Sequence, residues 1–113
     1  MTITLFGLKT CDTCKKALGE IEAAGKEPEF VDIRAEADLA RKVPEWLKAV
    51  GDKLVNRSST TWRGLSEADK AKASGKSLEG LLMGNPTLIK RPVIEVDGEV
   101  LIGWNAETKA RIG

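Results

Sequence analysis

"TITLF", residues 2–6, alternates β-branched and apolar side chains, and that period of two predicts a buried strand. Gly7 is expected to end the strand, and "LKTCDT" to turn the chain into a helix. There the period lengthens. Cys14, Leu18 and Ile21 recur at i, i+4 and i+7 on one helical face, with Lys15, Lys16, Glu20 and Glu22 elsewhere. Gly25 suits the C′ position of that helix. "PEFVDI", residues 28–33, predicts a second strand. Strand, helix and strand within about thirty residues make a parallel βαβ unit with a right-handed crossover.

The middle of the chain is polar and helical in pattern. Pro44 suits the first turn of a short helix that carries Trp46, Leu47 and Val50 inward and stops at Gly51. "SEAD", Ser66 to Asp69, has the form of a capping box. Ser77 opens another short helix through Leu78, Leu81 and Leu82, which "GNP" at 84–86 breaks. In "RPVIEVDGEVLIGW" two strands, about 93–96 and 99–103, flank Asp97-Gly98, the strongest short hairpin signal in a sequence. Asn105 is a good N-cap for a last helix through Ala106, Ala110 and Ile112. No repeat, linker or low-complexity tract interrupts this order. The pattern βαβ, a helical insert at about 36–84, then ββα predicts an α/β, thioredoxin-like (glutaredoxin-like) fold with a mixed four-stranded sheet.

Composition narrows the chemistry. A length of 113 residues fits one domain, and 42% apolar with 31% charged residues is a globular balance. A net charge of +1 weighs against direct nucleic-acid binding and against an anionic membrane surface as the main partner. No apolar run reaches membrane-spanning length, and "MTITLFGLK" lacks the charged start of an export signal. The expected compartment is therefore the cytoplasm, where thiols stay reduced. Cys11 and Cys14 are the only cysteines, and histidine is absent. A close pair there is expected to be catalytic, redox-sensing or metal-binding rather than a structural disulfide. Zinc needs four ligands, which two cysteines cannot supply within a monomer, leaving only a four-thiolate site shared across a dimer. Cys14 also reads as a small core residue on the apolar stripe; Cys11, in a polar loop, fits that role poorly.

Cys11 falls at the carboxyl end of the first strand and the start of the following helix, where open α/β sheets bind ligands. Unpaired N–H groups and the helix dipole favour a thiolate there, and Lys9 and Arg91 add positive potential. In a Cys-x-x-Cys pair so placed, the outer thiolate attacks and the inner thiol resolves the adduct. Without an imidazole base, activation has to be electrostatic. Pro92 in "IKRPV" opens a strand, and in a thioredoxin-like order this proline faces the cysteine loop and is commonly cis. Arg91 would then point at Cys11 with a fork suited to oxyanions or carboxylates; the alternative is a solvated arginine beside Lys90. In "LVNRSSTTWRGL", residues 54–65, Arg57 and Arg63 bracket four hydroxyls around Trp62. That stretch reads either as an anion-binding loop or as polar surface with Trp62 as packing.

"CDTCKKA", "LVNRSSTTWR", "NPTLIKRPVIEVDG" and "LIGWN" together resemble the ArsC/Spx/YffB family of arsenate reductase-like, glutaredoxin-like proteins, over essentially the whole chain. The resemblance implies a thioredoxin-like fold with a helical insert. It matches Cys11 to the nucleophile of the arsenate reductases and Arg91 to one arginine of their oxyanion site. Arg57 lies in the segment that holds a second arginine, one position from Asn56. Where those enzymes carry a third after the last strand, this chain has Gly103. "TTWR" and "VLIGWN" look most like the YffB branch, proposed to be glutathione-dependent thiol reductases. Cys14 resembles the second cysteine of the Spx redox switch, whose partner is RNA polymerase.

The expectation is a monomeric thiol–disulfide oxidoreductase with Cys11 as nucleophile and Cys14 as resolving cysteine. It would bind no cofactor or metal and use glutathione or a thioredoxin/glutaredoxin-type reductant. The alternatives are an Spx-like regulator that binds the RNA polymerase α C-terminal domain, and an arsenate reductase.

Overall fold

The computed structural model describes residues 2–35, 37–73 and 77–112. Along the chain run β1 (Ile3–Gly7), α1 (Asp12–Ala23), β2 (Glu29–Asp32), α2 (Leu39–Val50), α3 (Thr60–Arg63), α4 (Glu67–Ala71) and α5 (Ser77–Gly84). β3 (Val93–Val96), β4 (Glu99–Ile102) and α6 (Ala106–Ile112) follow. The chain divides into two compact units, one formed by Met1–Ala37 with Arg91–Gly113 and the other by Asp38–Lys90.

The first unit holds the sheet, in the order β2-β1-β3-β4. β1 and β2 run parallel, and the other two pairings are antiparallel. This is the mixed four-stranded sheet of a thioredoxin-like fold, as the order of elements predicts. Alternation along β1 and β3 sends Ile3 and Leu5 to the same face as Val96 and Ile94, their register partners. Cys14, Ala17 and Ile21 of α1 and Ile112 of α6 complete that core. Leu18 packs only at its edge. Gly7 is the last residue of β1 rather than the stop after it. It pairs with Asp32, and its carbonyl accepts the Ile33 N–H at 2.9 Å, so the ladder runs through it.

The hairpin forms where expected. Asp97 (φ +48°) and Gly98 (φ +84°) both take the left-handed conformation that a two-residue type I′ turn requires. β4 ends at Ile102, one residue sooner than read, because Gly103 leaves the extended region at φ +77°. Asn105 caps α6, its side-chain oxygen accepting the Thr108 N–H at 3.0 Å.

In the second unit, α2 begins five residues before Pro44, so this proline lies inside the helix and not in its first turn. Leu39, Val43, Trp46, Leu47 and Val50 share one face, and burial of Val43 and Trp46 offsets the hydrogen bond that Pro44 cannot donate. Gly51 (φ +65°) closes the helix, as its position predicts. α2 packs against α5, whose Leu78, Leu81 and Leu82 are buried. The hydroxyl-rich stretch is largely occupied with local structure. Ser59 accepts the Trp62 N–H at 3.1 Å to cap α3, and Thr61 and Thr87 share a hydrogen bond of 2.7 Å. Ser66 caps α4 through the Asp69 N–H. Among the described residues no helix is long and apolar enough to cross a membrane.

Candidate active site

β1 delivers the chain to a tight turn in which the Leu8 carbonyl accepts the Cys11 N–H at 3.1 Å. Cys11 is the N-cap of α1, in extended conformation, and Cys14 lies in the helix's first turn. Both are free thiols; Cys11 is half-buried and Cys14 fully buried. The first-turn N–H groups of a helix have no partner within it. One of them, the Cys14 N–H, lies near enough to favour the Cys11 thiolate without forming a side-chain cap hydrogen bond, and the Cys14 thiol and the Arg91 guanidinium act on the same sulfur.

These neighbours split the two thiols. Burial is the largest single influence on Cys11 and opposes its ionisation. The Cys14 N–H, the Cys14 thiol and Arg91 together outweigh it and hold Cys11 below its ordinary 9.0. Burial also dominates at Cys14, and there the neighbouring Cys11 adds to it. Its thiol is pushed up to about 11 even though the Leu8 N–H and Arg91 favour its anion. The pair therefore presents one sulfur prone to ionise and one that holds its proton, which suits a nucleophile and its resolving partner.

Arg91 reaches this place from the opposite end of the sequence. The Arg91–Pro92 peptide bond is cis, Pro92 is buried, and its carbonyl accepts the Gly103 N–H at 2.8 Å. Arg91, two residues before β3, carries its guanidinium to the cysteine loop, as the sequence predicts. Lys9 is exposed and lines an open cleft of about 470 Å³ with Leu8, Thr10, Asp32, Arg34 and Ala35. Sequence reasoning missed Asp32 and Arg34. Their signal was positional, since they follow β2 at the carboxyl end of the parallel pair. Asp32 Oδ1 accepts the Arg34 and Ala35 N–H groups at 2.8 and 3.0 Å, which fixes the cleft's rim.

Cys11, Cys14, Arg91, Pro92 and Lys9 all belong to the first unit. Arg57 belongs to the second, where its guanidinium carbon lies 5.4 Å from the Trp62 ring centroid. A guanidinium nitrogen of Arg57 is 3.9 Å from Asp52 Oδ2, and another donates to the Ala73 carbonyl at 3.5 Å. Gly103, in the place of the third oxyanion arginine, offers no side chain.

A mixed βαβ–ββα sheet with a Cys-x-x-Cys pair at the N-terminus of α1 defines a thioredoxin-like protein with a paired-thiol site. More narrowly, the chain belongs to the ArsC family, whose family model matches residues 6–112. It is 42% identical over 104 residues to an uncharacterised protein of Haemophilus influenzae, with 91% of each chain covered. The solved structure of a YffB protein superposes with a TM-score of 0.88 at 33% identity, covering 98% of both chains. The global transcriptional regulator Spx of Staphylococcus epidermidis is more distant, 24% identical over 93% of this chain and 82% of its own.

Proposed function

We propose that this protein is a thiol–disulfide oxidoreductase in which Cys11 attacks and Cys14 resolves. One observation carries the reading: a half-exposed sulfur at a helix N-terminus, faced by a backbone N–H, a second thiol and a guanidinium. The Cys11 thiolate attacks one sulfur of a disulfide R–S–S–R. A bond forms between Cys11 and that sulfur, the substrate bond breaks, and RS⁻ leaves to take a proton from solvent. The anion that raised Cys14 no longer exists in this adduct, so Cys14 loses its proton more readily. Its sulfur then attacks Cys11, the second RS⁻ departs, and the Cys11–Cys14 disulfide forms. The substrate has gained two electrons and two protons, and the protein dithiol has lost them. Two glutathione molecules, or one thioredoxin-type dithiol, return the protein to its reduced form.

The test is turnover of a glutathione mixed disulfide, with intact-mass analysis of the protein after the first half-reaction. A loss of two hydrogens mapped to Cys11 and Cys14, abolished by Cys11→Ser, is the expected result. A Cys11 pKa at its ordinary 9.0, with no disulfide formed, overturns the reading.

The similarity to Spx favours one second reading, in which the same pair is a sensor whose oxidation changes docking on RNA polymerase. Capture of the purified α C-terminal domain by only one redox form, with no disulfide turnover, would replace the enzyme with the regulator.

A further inference from the structure

We propose that Gly7 is the positioning residue of the resolving thiol, its missing side chain being the seat in which the Cys14 sulfur lies. Ile3, Leu5 and Gly7 are alternate residues of β1 and share one face. On that face Ile3 and Leu5 pack with Cys14, Ala17 and Ile21 of α1. Strand and helix converge toward the loop that joins them, and the strand's row ends in no side chain at all. A methyl group on Gly7 would overlap the Cys14 sulfur, and it would lie 3.3 Å from Cys14 Cβ and 3.4 Å from Leu5 Cδ2. Backbone conformation does not explain this glycine. Gly25, Gly51, Gly98 and Gly103 have positive φ, and Gly7 does not. What its position requires is space.

The backbone at Gly7 is held by its pairing with Asp32 and by the Ile33 N–H on its carbonyl. The Cys14 sulfur, by contrast, turns about a single side-chain bond. The sulfur overlap is therefore expected to be relieved by rotating the sulfur out of its seat, and the 3.3 Å approach to Cys14 Cβ by a shift of a few tenths of an ångström, with Cys11 and Arg91 left in place. Gly7 touches no substrate. It acts through Cys14, and its effect on turnover rests on the dithiol mechanism proposed above.

The experiment compares the full-length wild type with Gly7→Ala, Cys14→Ala and the double variant. One readout is the Cys11 titration by thiolate absorbance; the other is the lifetime of a glutathione adduct on Cys11 by intact mass. Gly7→Ala is expected to move the Cys11 titration upward to that of Cys14→Ala and to lengthen the adduct's life about a hundredfold. In the Cys14→Ala background it should change neither. Wild-type values in Gly7→Ala, or shifts that persist undiminished without Cys14, overturn the proposal. Should Gly7→Ala fail to fold, the double variant decides: recovery of folding supports the seat, and no recovery refutes it. A wild type that never forms its disulfide would defeat the dithiol mechanism, yet the titration needs no turnover and still judges Gly7.

Discussion

The guanidinium of Arg91 is directed at the sulfur of Cys11, joining the strand-opening Arg91–Pro92 segment to the cap of α1. A cation beside the sulfur favours the thiolate, and a planar fork can donate to sulfur while keeping further N–H groups for a substrate. Arg91→Ala should raise the Cys11 pKa and slow its alkylation at neutral pH about tenfold. Arg91→Lys should restore part of the rate, because it keeps the charge and loses the fork. Thiolate absorbance against pH, with iodoacetamide kinetics on each variant, checks both.

Cys14 makes stability depend on alkaline pH. Its folded-state pKa, about 11, lies above the 9.0 of an unfolded thiol. The sulfur keeps its proton in the folded protein after the unfolded chain has lost it. Its contribution is complete below pH 9 and is lost as the pH rises toward 11. In the reduced protein, the stability difference between wild type and Cys14→Ala should narrow over that window by up to about 2 kcal/mol. Urea unfolding midpoints at a series of pH values, under a reductant, measure it; a constant difference would contradict the sign.

At the hairpin, Gly98 takes φ +84° beside Asp97 at φ +48°. An added Cβ there is strained whatever the space around it. Gly98→Ala should destabilise the first unit by about 1 kcal/mol, read as a lower urea midpoint with the thiol chemistry unchanged.

Features set by local chemistry were the most legible in the sequence. Asp97-Gly98 marks the turn because few other dipeptides accept two left-handed residues, and the βα junction places Cys11 without reference to anything distant. Tertiary contacts decided what was missed. Pro44 reads as a helix start by propensity, but the apolar face from Leu39 to Val50 draws the helix back past it. Gly7 reads as a stop because glycine is poor in strands; its membership comes from Asp32 across the ladder, and its use depends on Cys14. The stretch 54–65 reads as an anion-binding loop or as polar surface, and its spacing does not disclose that the Arg57 cation lies over the Trp62 ring.

The interior proline of α2 is a local cost that the burial of Val43 and Trp46 covers. Pro44→Ala would supply the missing N–H and remove the ring from the preceding turn. The variant should gain about 1 kcal/mol or more in urea unfolding, with no change in Cys11 reactivity. A loss of stability would mean that the proline's constraint on the unfolded chain outweighs the hydrogen bond it forgoes.

Arsenate is the sharpest discriminator of substrate. The resemblance to the arsenate reductases implies three arginines around the oxyanion, and Arg91 is the one whose guanidinium acts on the Cys11 sulfur. The last strand is followed by Gly103, buried at φ +77°, with its N–H given to the Pro92 carbonyl. Gly103 brings no donor to the oxyanion, and each missing donor costs roughly a hundredfold or more in such sites. Arsenate with glutathione should therefore turn over at least roughly a hundredfold more slowly than a glutathione mixed disulfide. Gly103→Arg should not recover the activity, because a side chain at that backbone angle strains the turn beneath Pro92 before it can reach an anion. Efficient arsenate turnover by the wild type would instead require oxyanion donors beyond Arg91, and would make disulfide reduction the secondary reaction.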